Sequence, residues 1–245
     1  MSNPLSQLAD FIVKDQGTVP CFVPSLNKHV DFKPLTLSSQ KDIIEVSVES
    51  SVGILKFNNA IFNILKKCAC DGVKVEEFTT VDRVGVCIAL RAALSPEYKS
   101  TDLKSTVKAN EAPFNVDSLT KVFTYGAYKF YLKVPSLALD SRINSILIEN
   151  YNNSKLESAD KVKQLISNLY VYEILKFVNT VESNGKSFDL HTDLRASISI
   201  IEQLPGIYTN LIIKFIQDIR ILEAKYATMP ETGTVIDITP EFFIV

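Results

Sequence analysis

Between Tyr208 and Tyr226 the apolar residues Tyr208, Leu211, Ile212, Phe215, Ile219, Leu222 and Tyr226 recur at spacings of three, one, three, four, three and four. This spacing lays one apolar stripe along about five turns of a cylinder with 3.6 residues per turn. A stripe of that length has to be covered by other elements, so the chain must build helical layers around a core. Ile54, Phe57, Ile61, Ile64, Leu65 and Cys68 form a second stripe that stops near Asp71-Gly72. Thr79, with Asp82 three residues on, predicts a capping box opening a helix through Val84, Cys87, Ile88 and Leu90 to Leu94, where Ser95-Pro96 ends it. Ser38 and Ser39 read as the capped start of a helix carrying Ile43, Ile44, Val46 and Val48. A long run with Val162, Leu165, Ile166, Leu169, Ile174, Phe177, Val178 and Val181 reads as one helix closed by Asn184-Gly185. Thr192 or Asp193 caps a shorter helix with Leu194, Ile198 and Ile201.

Elsewhere the period changes from 3.6 to 2. Residues 18–32 predict a hairpin, with Pro20 and Pro24 blocking helix and Ser25-Leu26-Asn27-Lys28 supplying the turn. Residues 97–135 read as strand, most clearly where Tyr128, Phe130, Leu132 and Val134 alternate with Lys129, Tyr131 and Lys133 after Gly126. The end of the chain, Val235-Ile236-Asp237-Ile238 and then Phe242-Phe243-Ile244-Val245, reads as a short β tail. The order is hairpin, helices, antiparallel strands, helices and tail, without alternating βαβ units, so the fold class is α+β. The chain divides into residues 1–95 (hairpin plus helices), 96–136 (central strands) and 137–245 (helices with the β tail).

A chain of 245 residues can bury about 70–75% of its unfolded surface and needs no covalent staples. Its 26 basic and 28 acidic side chains leave a net charge of −2, so no long-range field favours nucleic acid or an anionic membrane. The longest uncharged run, residues 16–27, has 12 residues with two prolines, well below the roughly 20 a spanning helix needs. The opening Met1-Ser2-Asn3-Pro4-Leu5, with Asp10 following, does not resemble a secretory leader. Four irregularly spaced cysteines, Cys21, Cys68, Cys70 and Cys87, fit a reducing compartment better than a disulfide scaffold.

The motifs that carry chemistry are weak. No glycine-rich phosphate turn occurs. Cys68-Ala69-Cys70 has no second cysteine pair to complete a zinc site, and Cys68 continues an apolar stripe, which reads as core. With only His29 and His191, a three-histidine metal site is ruled out; His191, just before a helix, reads as a surface or capping residue. No strained Gly-x-Ser-x-Gly elbow is present. Tyr125, Tyr128, Phe130 and Tyr131 with Lys129 and Lys133 could make a base-stacking platform, but half-buried core strand is the preferred reading. The tail residues Phe242, Phe243 and Ile244 either dock in their own fold or touch a partner, and the sequence leaves both open.

Several segments together resemble one family. Leu26-Asn27-Lys28-His29-Val30-Asp31-Phe32-Lys33-Pro34-Leu35-Thr36 leads into a helix ending in Val48-Glu49-Ser50-Ser51. Ile64-Leu65-Lys66-Lys67-Cys68, then Phe78-Thr79-Thr80-Val81-Asp82-Arg83 with its helix to Leu90-Arg91-Ala92, and Tyr131-Leu132-Lys133-Val134-Pro135-Ser136-Leu137 follow in order. The C-terminal helix, the two-strand tail and the closing Phe242-Phe243 complete the set. In order and spacing these segments resemble the baseplate hub assembly proteins of T-even-type contractile-tailed bacteriophages. Many relatives carry Cys-x-x-Cys pairs in the middle strands and the terminal hairpin, whereas this chain has no cysteine after Cys87, so no metal is carried over.

The resemblance implies a non-enzymatic tail protein without catalytic residue or cofactor. It would act in assembly of the central hub, as a hub subunit or an assembly chaperone, in the host bacterial cytoplasm and, if it stays in the particle, in the virion baseplate. Its partners would be other hub or spike proteins, with no nucleic acid and no membrane span, and self-association stays open. An unrelated protein-interaction module and, further off, a cell-wall hydrolase are the alternatives.

Overall fold

The computed structural model describes residues 17–46 and 50–244. The leader reading of the first residues, Val48 and Glu49 of the first helical stretch, and Val245 of the tail lie outside them.

Strands β1 (Val19–Val23) and β2 (Lys28–Phe32) form the expected hairpin, with Cys21, Val23 and Phe32 facing inward at alternate positions. Asn27 makes the turn at φ +52°, a left-handed conformation that Asn tolerates better than most residues. Helix α1 (Leu37–Ile44) is capped by Thr36, whose hydroxyl accepts a bond from the Ser39 N–H at 3.2 Å, so the cap lies two residues before Ser38. In α2 (Gly53–Cys68) the buried stripe runs through Leu55, while Ile54 is exposed. In α3 (Thr80–Leu94) the predicted capping box is present. The Asp82 carboxylate accepts the Thr79 N–H at 2.6 Å, and the Thr79 hydroxyl accepts the Asp82 N–H at 3.4 Å.

The stretch read as strand over 97–135 is interrupted. After two-residue strands β3 (Glu97–Tyr98) and β4 (Thr101–Asp102) comes helix α4 (Leu103–Asn110), capped by Asp102. Its buried face is only Leu103 and Thr106, with Val107 packed beside them. Two turns are too few for a stripe to stand out in a sequence.

Strands β5 (Thr120–Tyr125) and β6 (Tyr128–Lys133) follow, then the long helices α5 (Leu137–Asn153) and α6 (Ser158–Phe177). The run expected to be one helix to Val181 changes conformation at Phe177. Strand β7 (Val178–Ser183) leads through Asn184-Gly185 into β8 (Lys186–Asp189). Val178, Thr180 and Val181 are β-branched and gain a ladder against β6, so pairing outweighs continuation of the helix. Asn184 at φ +52° and Gly185 at φ +72° form the two-residue loop of a hairpin, not a helix end. The sheet order is β5-β6-β7-β8, all antiparallel. Helices α7 (Leu194–Glu202), capped by Asp193, and α8 (Gly206–Ala227) close the helical layer.

The tail is not a strand. Val235 makes one isolated bridge to Thr228, and Pro240–Phe243 is a 3-10 turn. Pro240 has no N–H to donate to a ladder and its fixed φ suits the turn.

Two apolar cores result. The first gathers the hairpin, most of α2 and α3, α4 and the tail rings; the second gathers the four-stranded sheet with α5 to α8. Helices α2, α3 and α8 reach both, with Leu55, Val81 and Tyr226 in the second core and Phe57, Val86 and Ala227 in the first. No described helix is long and apolar enough to cross a membrane.

Candidate functional site

Of the three tail residues singled out from sequence, Phe242 is 0% and Phe243 2% exposed, both in the first core, while Ile244 is 47% exposed. The two rings meet at 5.1 Å, Phe242 packs edge-on to Tyr98 at 5.0 Å, and Phe243 lies 6.4 Å from Phe57. The rings are thus taken up by the chain's own core, and Ile244 alone of the three offers apolar surface.

Arg91 fastens this tail. It is 4% exposed near the end of α3. Its Nε donates to the Phe242 carbonyl at 2.7 Å, Nη1 to Ser95 at 2.6 Å and Nη2 to Glu97 at 3.3 Å. The guanidinium also lies 5.9 Å from the Phe242 ring centre and 6.0 Å from that of Tyr98. Burial lowers its pKa, with Tyr98 opposing, but a guanidinium stays charged. Arg91→Ala would leave three carbonyls without this donor, at a cost of about 3 kcal/mol. That corresponds to a fall in Tm of roughly 6–12 °C for a chain of this size. A melt within about 2 °C of wild type would contradict the clamp, and Arg91→Lys should recover only part of the loss because an ammonium cannot reproduce the planar fork.

A second polar cluster joins the helices between the cores. Asp140 on α5 accepts from Lys176 Nζ at 2.6 Å, Arg83 Nη1 at 3.2 Å and Asn144 Nδ2 at 3.3 Å. Glu173 accepts from Arg220 at 3.0 Å and pairs with Lys176 at 3.5 Å. Asp140, Lys176, Arg83, Glu173 and Arg220, with Thr80 and Glu223, line a cavity of about 230 Å³. Burial alone would raise the Asp140 pKa, but Lys176 and Arg83 outweigh it and hold the carboxyl below its ordinary value. The Glu223 carboxyl moves the other way. Burial pushes it up, aided by Glu173, while Thr80 and Arg83 only partly offset this. The Thr80 hydroxyl favours the ionised carboxylate without making a hydrogen bond of ordinary geometry.

Two carboxylates, Asp140 and Glu173, therefore pair with three cations, Arg83, Lys176 and Arg220, across α3, α5, α6 and α8. This geometry suits a fixed joint between helices. The sequence reading missed it, although a signal was there: Asp140 and Asn144 sit among Leu137, Ile143 and Leu147 on the buried face of one helix. Polar residues inside an apolar stripe need partners.

The stacking platform does not assemble. Tyr125, Tyr128 and Phe130 pack around Tyr208 of α8 at 5.1, 6.1 and 5.2 Å. Tyr131 points to the opposite face, where its hydroxyl donates to Glu182 at 2.9 Å and Lys129 lies over its ring. All four cysteines are free. Cys21, Cys68 and Cys87 are buried, and burial pushes the Cys87 thiol up to about 12, leaving it an apolar filler at neutral pH. Among the described residues no three His, Cys, Asp or Glu side chains converge as a metal site would need. His29 pairs with Glu111 at 3.1 Å on the surface. His191 does not cap α7; its Nε2 donates to the Leu175 carbonyl at 2.9 Å.

Comparison with protein-family models, curated proteins and solved structures finds no match to this chain.

Proposed function

We propose that this chain is a non-enzymatic protein of a contractile phage tail that acts in assembly of the baseplate central hub, as a hub subunit or an assembly chaperone. One observation carries the reading: the segments that bear the family resemblance are bonded to one another. The hairpin turn donates its Ser25 N–H to Asp82 of the capping box at 2.8 Å. Lys33 N–H reaches the Cys68 carbonyl at 2.6 Å, and the Phe32 and Phe78 rings meet at 6.2 Å. Leu137 N–H donates to Phe78 at 2.6 Å, Thr80 N–H to Pro135 at 3.3 Å, and Arg91 holds Phe242. These segments do not lie scattered over the surface. Here they meet at the joints of one frame, where the residue type is dictated by a cap, a strand end or a ring contact.

The role requires apolar surface for other polypeptides and no reaction. Such surface is present: Leu37 at the start of α1 is 80% exposed and Ile221 on α8 is 70% exposed. Ile166 and Tyr170, four residues apart on α6, stand outward together. The partners are other hub or spike proteins, met in the host bacterial cytoplasm.

The test is co-expression with the hub and spike proteins of the same phage, followed by size-exclusion chromatography. Co-migration with at least one of them is expected. Migration of the folded chain alone, with every neighbour tried, overturns the reading.

A further inference from the structure

At the end of β6, beside the first turns of α5, lies an open cavity of about 340 Å³. Lys133, Arg142 and His191 line it together with Ser136, Asn179 and the apolar Pro135, and no carboxylate is among its lining residues. Three independent features of the fold create it. Lys133 is the last residue of β6 and turns outward by strand alternation. The ladder between β6 and β7 slips after Tyr131, which pairs with Thr180 while Leu132 pairs with Val178, so Asn179 is the extra residue of a bulge. Bulges re-aim side chains in this way, and Asn179 lies on the cavity wall. Ser136 caps α5 by accepting the Leu139 N–H at 3.2 Å, so the positive end of a 17-residue helix also borders the space.

The Lys133 and Arg142 side chains of this cavity are not neutralised by a carboxylate among the described residues. Lys133 makes no ion pair with any described residue, and among the described residues the Arg142 guanidinium makes one bond, from Nη1 to the His191 carbonyl at 3.3 Å. His191 lines the same cavity. Burial, and then the charges of Arg142 and Lys133, lower its pKa, against the Leu175 carbonyl on α6 and Asp189 on β8, which raise it. The Asp189 carboxylate is engaged by the His191 backbone N–H at 2.8 Å. Like charges crowded on a concave surface of a net acidic protein are relieved by an anion that sits among them.

We propose that this cavity binds a single oxyanion, the phosphate or carboxylate group of a ligand, held by Lys133 and Arg142 with His191 beside it. With Nε2–H committed to Leu175, protonation of His191 occurs at Nδ1. An anion next to the ring favours the imidazolium, so affinity rises as pH falls through the His191 pKa. The site is independent of the hub reading, and either can fail without the other.

The chain has only two histidines, which makes the test direct. Imidazole proton resonances of the full chain are titrated with pH in sodium chloride, inorganic phosphate or acetate at equal ionic strength, with the surface His29 as internal reference. Phosphate, acetate or both should raise the His191 pKa by about one unit over chloride, and which of them does so identifies the source of the oxyanion. Lys133→Gln with Arg142→Gln, both at exposed positions, should abolish the shift without changing the melting temperature. Equal His191 titrations in all three salts, or a shift that survives in the double variant, would overturn the proposal.

Discussion

Removal of Phe242 to Val245 should abolish the cooperative folding of the first core. Burying a phenylalanine completely and then truncating it costs about 3–5 kcal/mol, and this deletion takes away two such rings. The rings touch each other, so the two losses are not independent and a combined cost of about 5–8 kcal/mol is the reasonable figure. That is comparable with the whole stability of an ordinary domain, about 5–15 kcal/mol. The deletion also removes the Phe242 carbonyl from Arg91 and exposes the faces of Tyr98 and Phe57. Thermal and urea denaturation followed by circular dichroism should show a Tm at least about 10 °C lower or no cooperative transition. Ile244→Ala is the control. Half exposed, it should change stability by no more than about 0.5 kcal/mol. A truncated chain that melts with the full-length protein would mean that the tail's burial contributes nothing.

The same tail shows where sequence reading succeeds and where it stops. Apolar residues at the end of a chain announced burial, but their conformation was set by Pro240, which removes a ladder donor, and by an arginine about 150 residues earlier in the chain. Periodicity found α2, α6 and α8 and missed α5, whose buried face carries Asp140 and Asn144 among its apolar residues, while the capping box fixed the start of α3; both signals are local. It failed at Phe177, where a helix passes directly into a strand with no breaker between them. There the decision belongs to β6, a partner distant in sequence. Asn184-Gly185 was visible but ambiguous, since the same dipeptide ends helices and turns hairpins, and only the partner strand selects between them. The ion-pair cluster draws one or two residues from each of four helices whose relative rotation no local pattern encodes. The basic cavity depends on a bulge, which is a property of two strands in register.

The second large effect belongs to that cluster: Asp140→Ala should cost about 3–5 kcal/mol, because it leaves the buried Lys176 ammonium without its principal counter-charge. If the loss comes from an uncompensated charge and not from a cavity, Asp140→Leu combined with Lys176→Met should recover part of it, since an apolar pair of similar size carries no desolvation penalty. The pH profile separates Asp140 from its neighbour Glu223. The folded-state pKa of Asp140 lies below its unfolded value, so its contribution is fully present above about pH 4 and is lost as pH falls through the folded value. Glu223 has the opposite sign. Its carboxyl is raised in the folded chain, so the proton it binds favours folding, and that contribution fades as pH rises from the unfolded value through the folded one. Urea midpoints measured across the acid range should therefore fall more gently below pH 4 in Asp140→Ala than in wild type, while Glu223→Gln should flatten the decline on the higher-pH side. Parallel profiles for wild type and Asp140→Ala would show that the Asp140 carboxylate is not stabilised by Lys176 and Arg83, and the joint between the cores would then have to rest on packing alone.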